Sequence, residues 1–262
     1  MRLGVREYIV VPPGQTPSPA AASLALPVDL PAPGAPWTKP AAPDALWVIT
    51  DRRPLPPDAA SAVAALGQMA LQGCRGVYAD FEHPPGKTAC RFLAALQARL
   101  TPLHLPLLVP AAYASLLPGA ACVLTWQPGG GAFFAALQTA CAKYANRACW
   151  LDLAPVACRV QLGRAAPPER LAPAALAAAL AEPPGRIFYN APLGCYYKLA
   201  RTEDTVFCTI FDTAASFQAR RRQAACLPLA GLFLLQPEID ALSSVPAAKI
   251  SAQHAQKTSY QK

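Results

Sequence analysis

Charged side chains are scarce in this sequence. Asp, Glu, Lys and Arg make up 15% of its 262 residues, against about a quarter in an average soluble chain. The net charge is +8, but the basic residues are scattered, apart from the arginines at 220–222 and the lysines of the tail at 249–262. A nucleic-acid surface needs clustered basic charge interleaved with aromatic rings, so we expect no nucleic-acid partner.

Long apolar runs are also missing. No stretch of the sequence reaches the ~18 apolar residues of a membrane span, and the run at 8–11 is too short for the apolar region of a secretion signal. We therefore expect no membrane span. We expect a cytoplasmic protein, or one assembled from inside the cell onto a structure such as a spore.

The nine cysteines show no paired spacing. No C-x-x-C occurs, and most of the cysteines lie within apolar runs, where free cysteine behaves as a small hydrophobic residue. This pattern indicates a reducing compartment rather than a disulfide framework. A zinc site would need the paired spacing that is missing, so we expect no metal, and nothing indicates another cofactor or an oligomeric state.

Apolar residues, in contrast, are abundant at 53%, and they occur in short runs that alternate with helical patterns. This alternation is typical of βα units and a parallel sheet. Core strands are expected at 7–11, 23–30, 45–50, 76–82, 105–110, 122–126, 148–153 and 229–235. The pattern predicts an α/β protein, a somewhat degenerate (β/α)8 TIM-type barrel, with a small β insertion at 186–211 before the last strand.

The barrel is expected to form a single domain over residues 1–242. Within it, residues 12–45 are rich in proline and alanine and predict few elements, while residues 243–262 form a basic tail without periodicity, which predicts disorder. A doubly wound sheet would need a glycine-rich turn after the first strand. The turn there is Pro12-Pro13-Gly14, which does not fit.

The most informative stretch, 76–82, reads G-V-Y-A-D-F-E. In a strand, residues two apart point to the same face, so Tyr78, Asp80 and Glu82 would project side by side. The prolines and glycine at 84–86 stop the strand, and a helical pattern follows from 87 to 100. Carboxylates at the C-terminal end of a barrel strand predict a catalytic site, although acidic residues there also cap helices or face water.

This stretch resembles the fourth-strand signature of glycoside hydrolase family 18, the chitinase-like barrels, which reads D-G-x-D-x-D-x-E. The sequence L-T-W-Q at 124–127 stands where the family's sixth strand carries Met-Thr-Tyr-Asp. Phe211-Asp212, Ser216-Phe217 and the run at 229–235 resemble its closing pattern. The resemblance spans residues 45–240 and is nearest to the spore-associated N-acetylglucosaminidase-type members of gram-positive bacteria.

The resemblance implies a substrate-assisted retaining glycosidase that acts on a glycan containing N-acetylglucosamine, of the chitin or peptidoglycan (spore cortex) type, without a cofactor. In such an enzyme Glu82 would protonate the leaving oxygen. Asp80 would orient the substrate's N-acetyl group, whose carbonyl oxygen attacks the anomeric carbon. Their proximity would raise the pKa of one of the two carboxyls.

Several positions depart from the family pattern. Arg75 and Tyr78 stand where the signature has Asp, Trp126-Gln127 replaces Tyr-Asp, and Leu235 replaces the tryptophan that floors the sugar site. We expect Tyr78, Gln127 and Asp152 to contact substrate, and Trp126 or Trp47 to offer a replacement stacking face. The alternatives stay open that Trp126 and Trp47 pack in the core and that Asp152 caps a helix or joins a salt bridge. The lost positions also leave open a second function, a catalytically degenerate barrel that binds glycan or has a structural role in a spore or cell envelope.

A nucleotide-binding loop is a further alternative, because Gly86-Lys87-Thr88 follows a strand and opens a helix. A P-loop needs a glycine five residues earlier, where the sequence has Phe81, and Pro84-Pro85 would remove amide donors. The simpler interpretation is that Lys87 and Thr88 begin a helix.

Overall fold

The computed structural model describes residues 6–12, 15, 23–28, 44–55, 58–66, 73–128, 131–164, 166–182, 186–202 and 205–245. The chain divides into two compact units. We call them the barrel unit (Met1–Thr125, Ala140–Leu153 and Pro228–Gln236) and the sheet unit (Trp126–Thr139, Ala154–Leu227 and Pro237–Lys262). Most of the segment 12–45 and the tail from 246 onward, which we expected to be disordered, lie outside the described residues.

The barrel unit contains a closed barrel of eight parallel strands. The strands are β1 (Arg6–Val10), β2 (Leu24–Val28), β3 (Leu46–Thr50), β4 (Val77–Asp80), β5 (Leu107–Pro110), β6 (Ala121–Thr125), β7 (Cys149–Asp152) and β13 (Gly231–Leu235). They pair in chain order, and β13 pairs with both β7 and β1 to close the sheet. The predicted (β/α)8 barrel is confirmed.

One helix follows each of the strands β3 to β6, namely α1 (Ala59–Leu66), α2 (Lys87–Leu100), α3 (Ala111–Ala114) and α4 (Phe133–Lys143). Asp58 caps α1, since its Oδ1 accepts hydrogen bonds from the amides of Ala60 and Ser61, both at 3.2 Å. Helix α2 buries one face, at Ala89, Phe92, Leu93, Leu96 and Leu100, the spacing of an amphipathic helix on a core. Within the described ranges, no helix combines the length and the apolar character that crossing a bilayer requires.

Every barrel strand contributes to one interior cluster, formed by Tyr8, Ala25, Leu46, Val48, Tyr78, Leu108, Ala121, Val123, Trp150 and Phe233. Its aromatic rings are in contact: Phe233 stacks on Tyr78 with ring centroids 4.7 Å apart and on Trp150 at 5.3 Å. Trp150 fits because its register partner is Gly231. A Cβ at Gly231 would overlap Cε3 and Cζ3 of the indole ring.

The sheet unit is built on five antiparallel strands, β8 (Ala157–Gln161), β9 (Glu169–Arg170), β10 (Ile187–Asn190), β11 (Cys195–Thr202) and β12 (Thr205–Phe211). They lie in the order β10-β11-β12-β8-β9. The unit also contains α5 (Pro173–Ala181), α6 (Ala214–Ala224) and all but the first residue of α7 (Gln236–Ala241). The insertion predicted at 186–211 is therefore larger than expected, because β8 and β9 precede α5.

We predict that Gly231→Ala lowers the free energy of unfolding by about 1–3 kcal/mol, the usual effect of forcing extra volume into a packed core. The added methyl group must displace Trp150, which is held by its contact with Phe233. Urea unfolding followed by circular dichroism measures the effect. Gly131→Ala is the matched control, since no atom lies within 4 Å of a Cβ there, and equal stability of the two variants would contradict the prediction.

Candidate functional site

Strand β4 brings Tyr78 and Asp80 together at its C-terminal end. Tyr78 belongs to the barrel interior and is 3% exposed, and its hydroxyl donates a hydrogen bond of 3.2 Å to Asp80 Oδ1. Burial raises the pKa of the Asp80 carboxyl, and the nearby charges of Glu82 and Asp51 act in the same direction, against the Tyr78 hydrogen bond and the charge of Arg52. Asp80 is thus the carboxyl whose charged form this site disfavours.

Asp152 lies at the equivalent end of β7, in register with Thr125 of β6 and Phe233 of β13. Burial, together with the charges of Asp80 and Asp152, raises the pKa of Tyr78 well above its ordinary value. Tyr78 therefore keeps its proton, and its hydroxyl remains a hydrogen-bond donor to Asp80. The negative charges of Asp80 and Asp152 both favour this protonated form. The structure brings Tyr78, Asp80 and Asp152 together at one end of the barrel.

Glu82 does not continue the strand, which corrects the expectation that β4 spans 76–82. The strand ends at Asp80, and Phe81 turns into the protein, where it packs against Phe92 and Tyr113. The backbone amide of Glu82 donates to the side chain of Asp51 at 2.9 Å instead of to a neighbouring strand. Glu82 therefore stands in the loop after β4 and is exposed.

Asp51, the first residue after β3, organises this loop. Its Oδ2 accepts hydrogen bonds from the amide of His83 at 3.1 Å and from Nδ1 of the same residue at 2.9 Å, in addition to the Glu82 amide on Oδ1. Burial alone would raise the pKa of Asp51, but these hydrogen bonds outweigh it and lower the pKa. An ionised Asp51 accepts hydrogen bonds only, so Nδ1 of His83 carries the proton. Tyr113 fixes the loop further, since its hydroxyl donates to the carbonyl oxygen of His83 at 2.9 Å.

Arg52 holds the side chain of Glu82. Its Nη2 and Nε donate to Glu82 Oε1 at 2.9 and 3.2 Å. The side chains of Arg52 and Glu82 are 71% and 58% exposed, and an ion pair this open contributes only about 0–1 kcal/mol. Arg75 pairs instead with Asp44, at 3.6 Å. The carboxyl proposed as the acid is thus ion-paired, but in an open position from which it can be released.

The two tryptophans occupy different places. Trp47 is 2% exposed, and it alternates along β3 with Leu46 and Val48 of the interior cluster. It therefore lies on the outer face of the barrel strands. This corrects its expected role, because its ring has no surface to offer a sugar. Trp126 and the exposed Gln127 belong to the sheet unit, where the Trp126 ring packs edge-on against Phe133 and the Arg220 guanidinium lies 5.1 Å from its centroid.

Four residues of this loop and its surroundings were not among the site residues predicted from the sequence, namely Asp51, Arg52, His83 and Tyr113. One signal was available for the first two: β3 and β4 are parallel neighbours with Thr50 opposite Asp80, so the residues after each strand must meet. Which side chains form hydrogen bonds within that loop depends on their positions in three dimensions, and the periodicity of the sequence does not encode these positions.

Two cavities differ in their chemistry. One, of about 540 Å³, lies in the barrel unit and is lined by residues 51–55, by most of 83–89 and by Tyr113. The other, of about 450 Å³, lies in the sheet unit and is lined mainly by apolar side chains. Asp212 on its wall is 0% exposed and is ion-paired with Arg220, so this carboxylate has a structural partner. The first cavity, whose wall includes the two contacts of Glu82, is the candidate site.

No family model and no curated protein matches this sequence. The fold is similar to that of the spore cortex-lytic enzyme SleL from Bacillus megaterium QM B1551, with a TM-score of 0.56 and 14% identity over 92% of this chain and 73% of that one. It is also similar to a chitinase from Chromobacterium violaceum ATCC 12472, with a TM-score of 0.53 and 13% identity over 92% of this chain and 98% of that one. The chain therefore shares its barrel fold with these two proteins.

We predict that Asp80→Asn stabilises the protein near neutral pH. Because burial raises the folded-state pKa of Asp80 above its ordinary 3.8, ionising this carboxyl costs folding free energy at pH values above the raised pKa. Asparagine removes that cost and can still accept the Tyr78 hydrogen bond. The gain should shrink as the pH falls and vanish below about 3.8, where Asp80 is protonated in both states.

Urea midpoints at a series of pH values measure this effect, with the exposed Asp240→Asn as the control. A difference between Asp80→Asn and the wild type that does not change with pH would show that ionisation of Asp80 is not its cause.

Proposed function

We propose that this protein is a glycoside hydrolase of the family 18 type that cleaves a glycan containing N-acetylglucosamine with retention of configuration. The observation that carries the proposal is the separation of two neighbouring carboxyls into opposite environments. Asp80 is half-buried and accepts a hydrogen bond from the Tyr78 hydroxyl, whereas Glu82 is exposed in the loop that follows. Pairs of carboxyls in unlike environments are how one site supplies two chemical roles.

In this mechanism Glu82 donates its proton to the glycosidic oxygen as the bond to the leaving sugar breaks. Asp80 accepts a hydrogen bond from the N–H of the substrate's acetamido group and turns its carbonyl oxygen toward the anomeric carbon, which that oxygen attacks. Tyr78 holds Asp80 in place through its hydroxyl. In its ionised form, Asp80 stabilises developing positive charge more strongly here than it would in water, because water is partly excluded from the site.

Glu82 must leave Arg52 and take up a proton from solvent before it can act as the acid, because the ion-paired form is a carboxylate. The pair is exposed on both sides, so its opening has a small free-energy cost, and the backbone of Glu82 stays held by Asp51 throughout. The side chain of Glu82 can therefore move while its backbone stays in place. Asp152, Gln127 and Trp126 remain our proposed substrate contacts.

The similar structures support the class of substrate. One is named for lysis of the spore cortex and the other is a chitinase, and both names fit a glycan built on N-acetylglucosamine. A cytoplasmic or spore-associated location is part of the same proposal.

A second candidate is a barrel that binds such a glycan without cleaving it, or serves as a structural spore or envelope component. The Arg52–Glu82 ion pair favours it, as does Tyr78 in the place of a signature aspartate. Both functions use the same end of the barrel, so the measurement that separates them is turnover.

We predict that the wild-type protein hydrolyses at least one member of a panel of N-acetylglucosamine oligomers and peptidoglycan fragments, and that Glu82→Gln lowers kcat by about 10²–10⁴, the contribution usual for a general acid. Reducing-end release measured by mass spectrometry follows the reaction. Glu169→Gln, at an exposed glutamate of β9 in the sheet unit, is the control and should keep full activity.

If a folded wild-type sample turns over no member of the panel, the hydrolase assignment fails and the glycan-binding barrel replaces it. If Glu82→Gln retains wild-type kcat, the enzyme is a hydrolase with a different acid.

A further inference from the structure

Helix α5 covers one face of the antiparallel sheet in the sheet unit. Leu176 of α5 and Phe211 of β12 form one buried apolar cluster. Nζ of Lys198, on β11, donates a hydrogen bond of 2.9 Å to the carbonyl oxygen of Ala179 in the same helix. Because side chains alternate between the two faces along a strand, the residues on either side of Lys198 and Phe211 point to the opposite face.

The opposite face of the sheet is apolar across three adjacent strands. Leu199 of β11 and Val160 of β8 both lie opposite Cys208 of β12, and Tyr197 lies opposite Ile210 in the neighbouring row. We call this surface the open face, and its apolar members are Val160, Tyr197, Leu199, Val206, Cys208 and Ile210. Leu199 is 40% exposed and the other members are half-buried.

Leu162 extends the open face beyond the end of β8. Its amide donates a hydrogen bond of 2.9 Å to the carbonyl oxygen of Val206, which continues the ladder between β8 and β12. Its side chain is 48% exposed. Leu162 and Leu199 therefore place two large, exposed apolar side chains on the same surface.

The distribution of polar side chains on this sheet is the reverse of the usual one. An antiparallel sheet with one face in water normally carries its polar residues on that face. Here Lys198 and Thr209 are buried on the face that α5 covers, whereas the open face has one charged side chain, Arg201, at its edge. A contiguous apolar surface of this kind marks an interaction site.

We propose that the open face is the contact surface between two copies of this chain, which pack sheet against sheet about a two-fold axis. An apolar face complements an identical face, and a two-fold arrangement uses the same surface on both copies. A partner with a charged surface would gain little, because Arg201 at the edge is the one charge that the open face offers. This inference does not depend on the proposed function, since self-association is measured without turnover.

The size of the open face sets the strength of the dimer. Strands lie ~4.8 Å apart and residues on one face of a strand are ~6.8 Å apart, so three strands and three rows span roughly 14 Å by 20 Å, or about 300 Å². An interface of standard size takes about 800 Å² from each partner. The open face therefore forms the centre of the interface, and we expect a weak dimer with a Kd on the order of 10–100 μM.

Sedimentation equilibrium of the wild-type protein tests the proposal, over about 1–300 μM and in about 50 and about 500 mM salt. We expect the mass to rise with concentration from the 27.5 kDa of one chain toward twice that value. Association should be several-fold tighter at the higher salt, because salt screens the repulsion between two copies that each carry a net charge of +8. A monomer at every concentration, or association that salt weakens, overturns the proposal and assigns the open face to a different partner.

Leu199→Lys should raise the Kd of the dimer by about tenfold or more, because a charge is then buried against an apolar surface. Leu116→Lys is the matched control and should leave the Kd unchanged. Leu116 is 53% exposed in the barrel unit, so the same substitution adds the same charge away from the open face. Equal weakening by the two substitutions would indicate a general charge effect and overturn the proposal.

Leu162→Lys is a second variant of the open face, and it should also raise the Kd. Leu162 lies in the turn after β8 rather than within a strand, so the test remains available if Leu199→Lys does not fold. A dimer that persists unchanged when either leucine is replaced in a folded protein uses another surface, which rejects the proposal.

Discussion

The Asp51 carboxylate is the group on which this site depends. It is 8% exposed, and it accepts hydrogen bonds from two successive amides, Glu82 and His83, and from the His83 ring. A buried carboxylate is tolerated only when its oxygens are satisfied, so the loop after β4 must bring these donors to it. The position at which β4 stops, and thereby the place of Glu82, follows from that requirement.

A series of ring contacts through the barrel interior positions Asp80. Gly231 leaves room for the ring of Trp150, Trp150 stacks on Phe233, and Phe233 stacks on Tyr78, whose hydroxyl reaches Asp80. Close packing of this kind transmits small changes of volume. We therefore expect a methyl group added at Gly231 to disturb the position of the Asp80 carboxyl through these ring contacts.

The fold could be predicted from the sequence more fully than the site. Alternating strand and helix patterns gave the barrel, and the bounds of α2 agree with the pattern at 87–100. Strand β4 was predicted to run two residues too far at its C-terminal end, because period-two alternation continues through Phe81 and Glu82, whereas the amide of Glu82 donates to Asp51 instead of to a neighbouring strand. For Trp47 the sequence left both a sugar-stacking and a core-packing role open, since alternation gives two faces but does not say which is the interior. Strand β8 was missed because it is mostly half-buried, and β9 because it has only two residues, both exposed.

These contacts leave one side chain of the site, that of Glu82, loosely held. Asp80 is held by Tyr78, and the backbone of Glu82 is held by Asp51, but the side chain of Glu82 is held only through an ion pair whose two members are mostly exposed. Water and salt weaken such a pair, whereas they affect the buried contacts little. A site built in this way keeps its geometry while the Glu82 side chain can change partner, and the partner that it would leave is Arg52, which also lines the cavity of the candidate site.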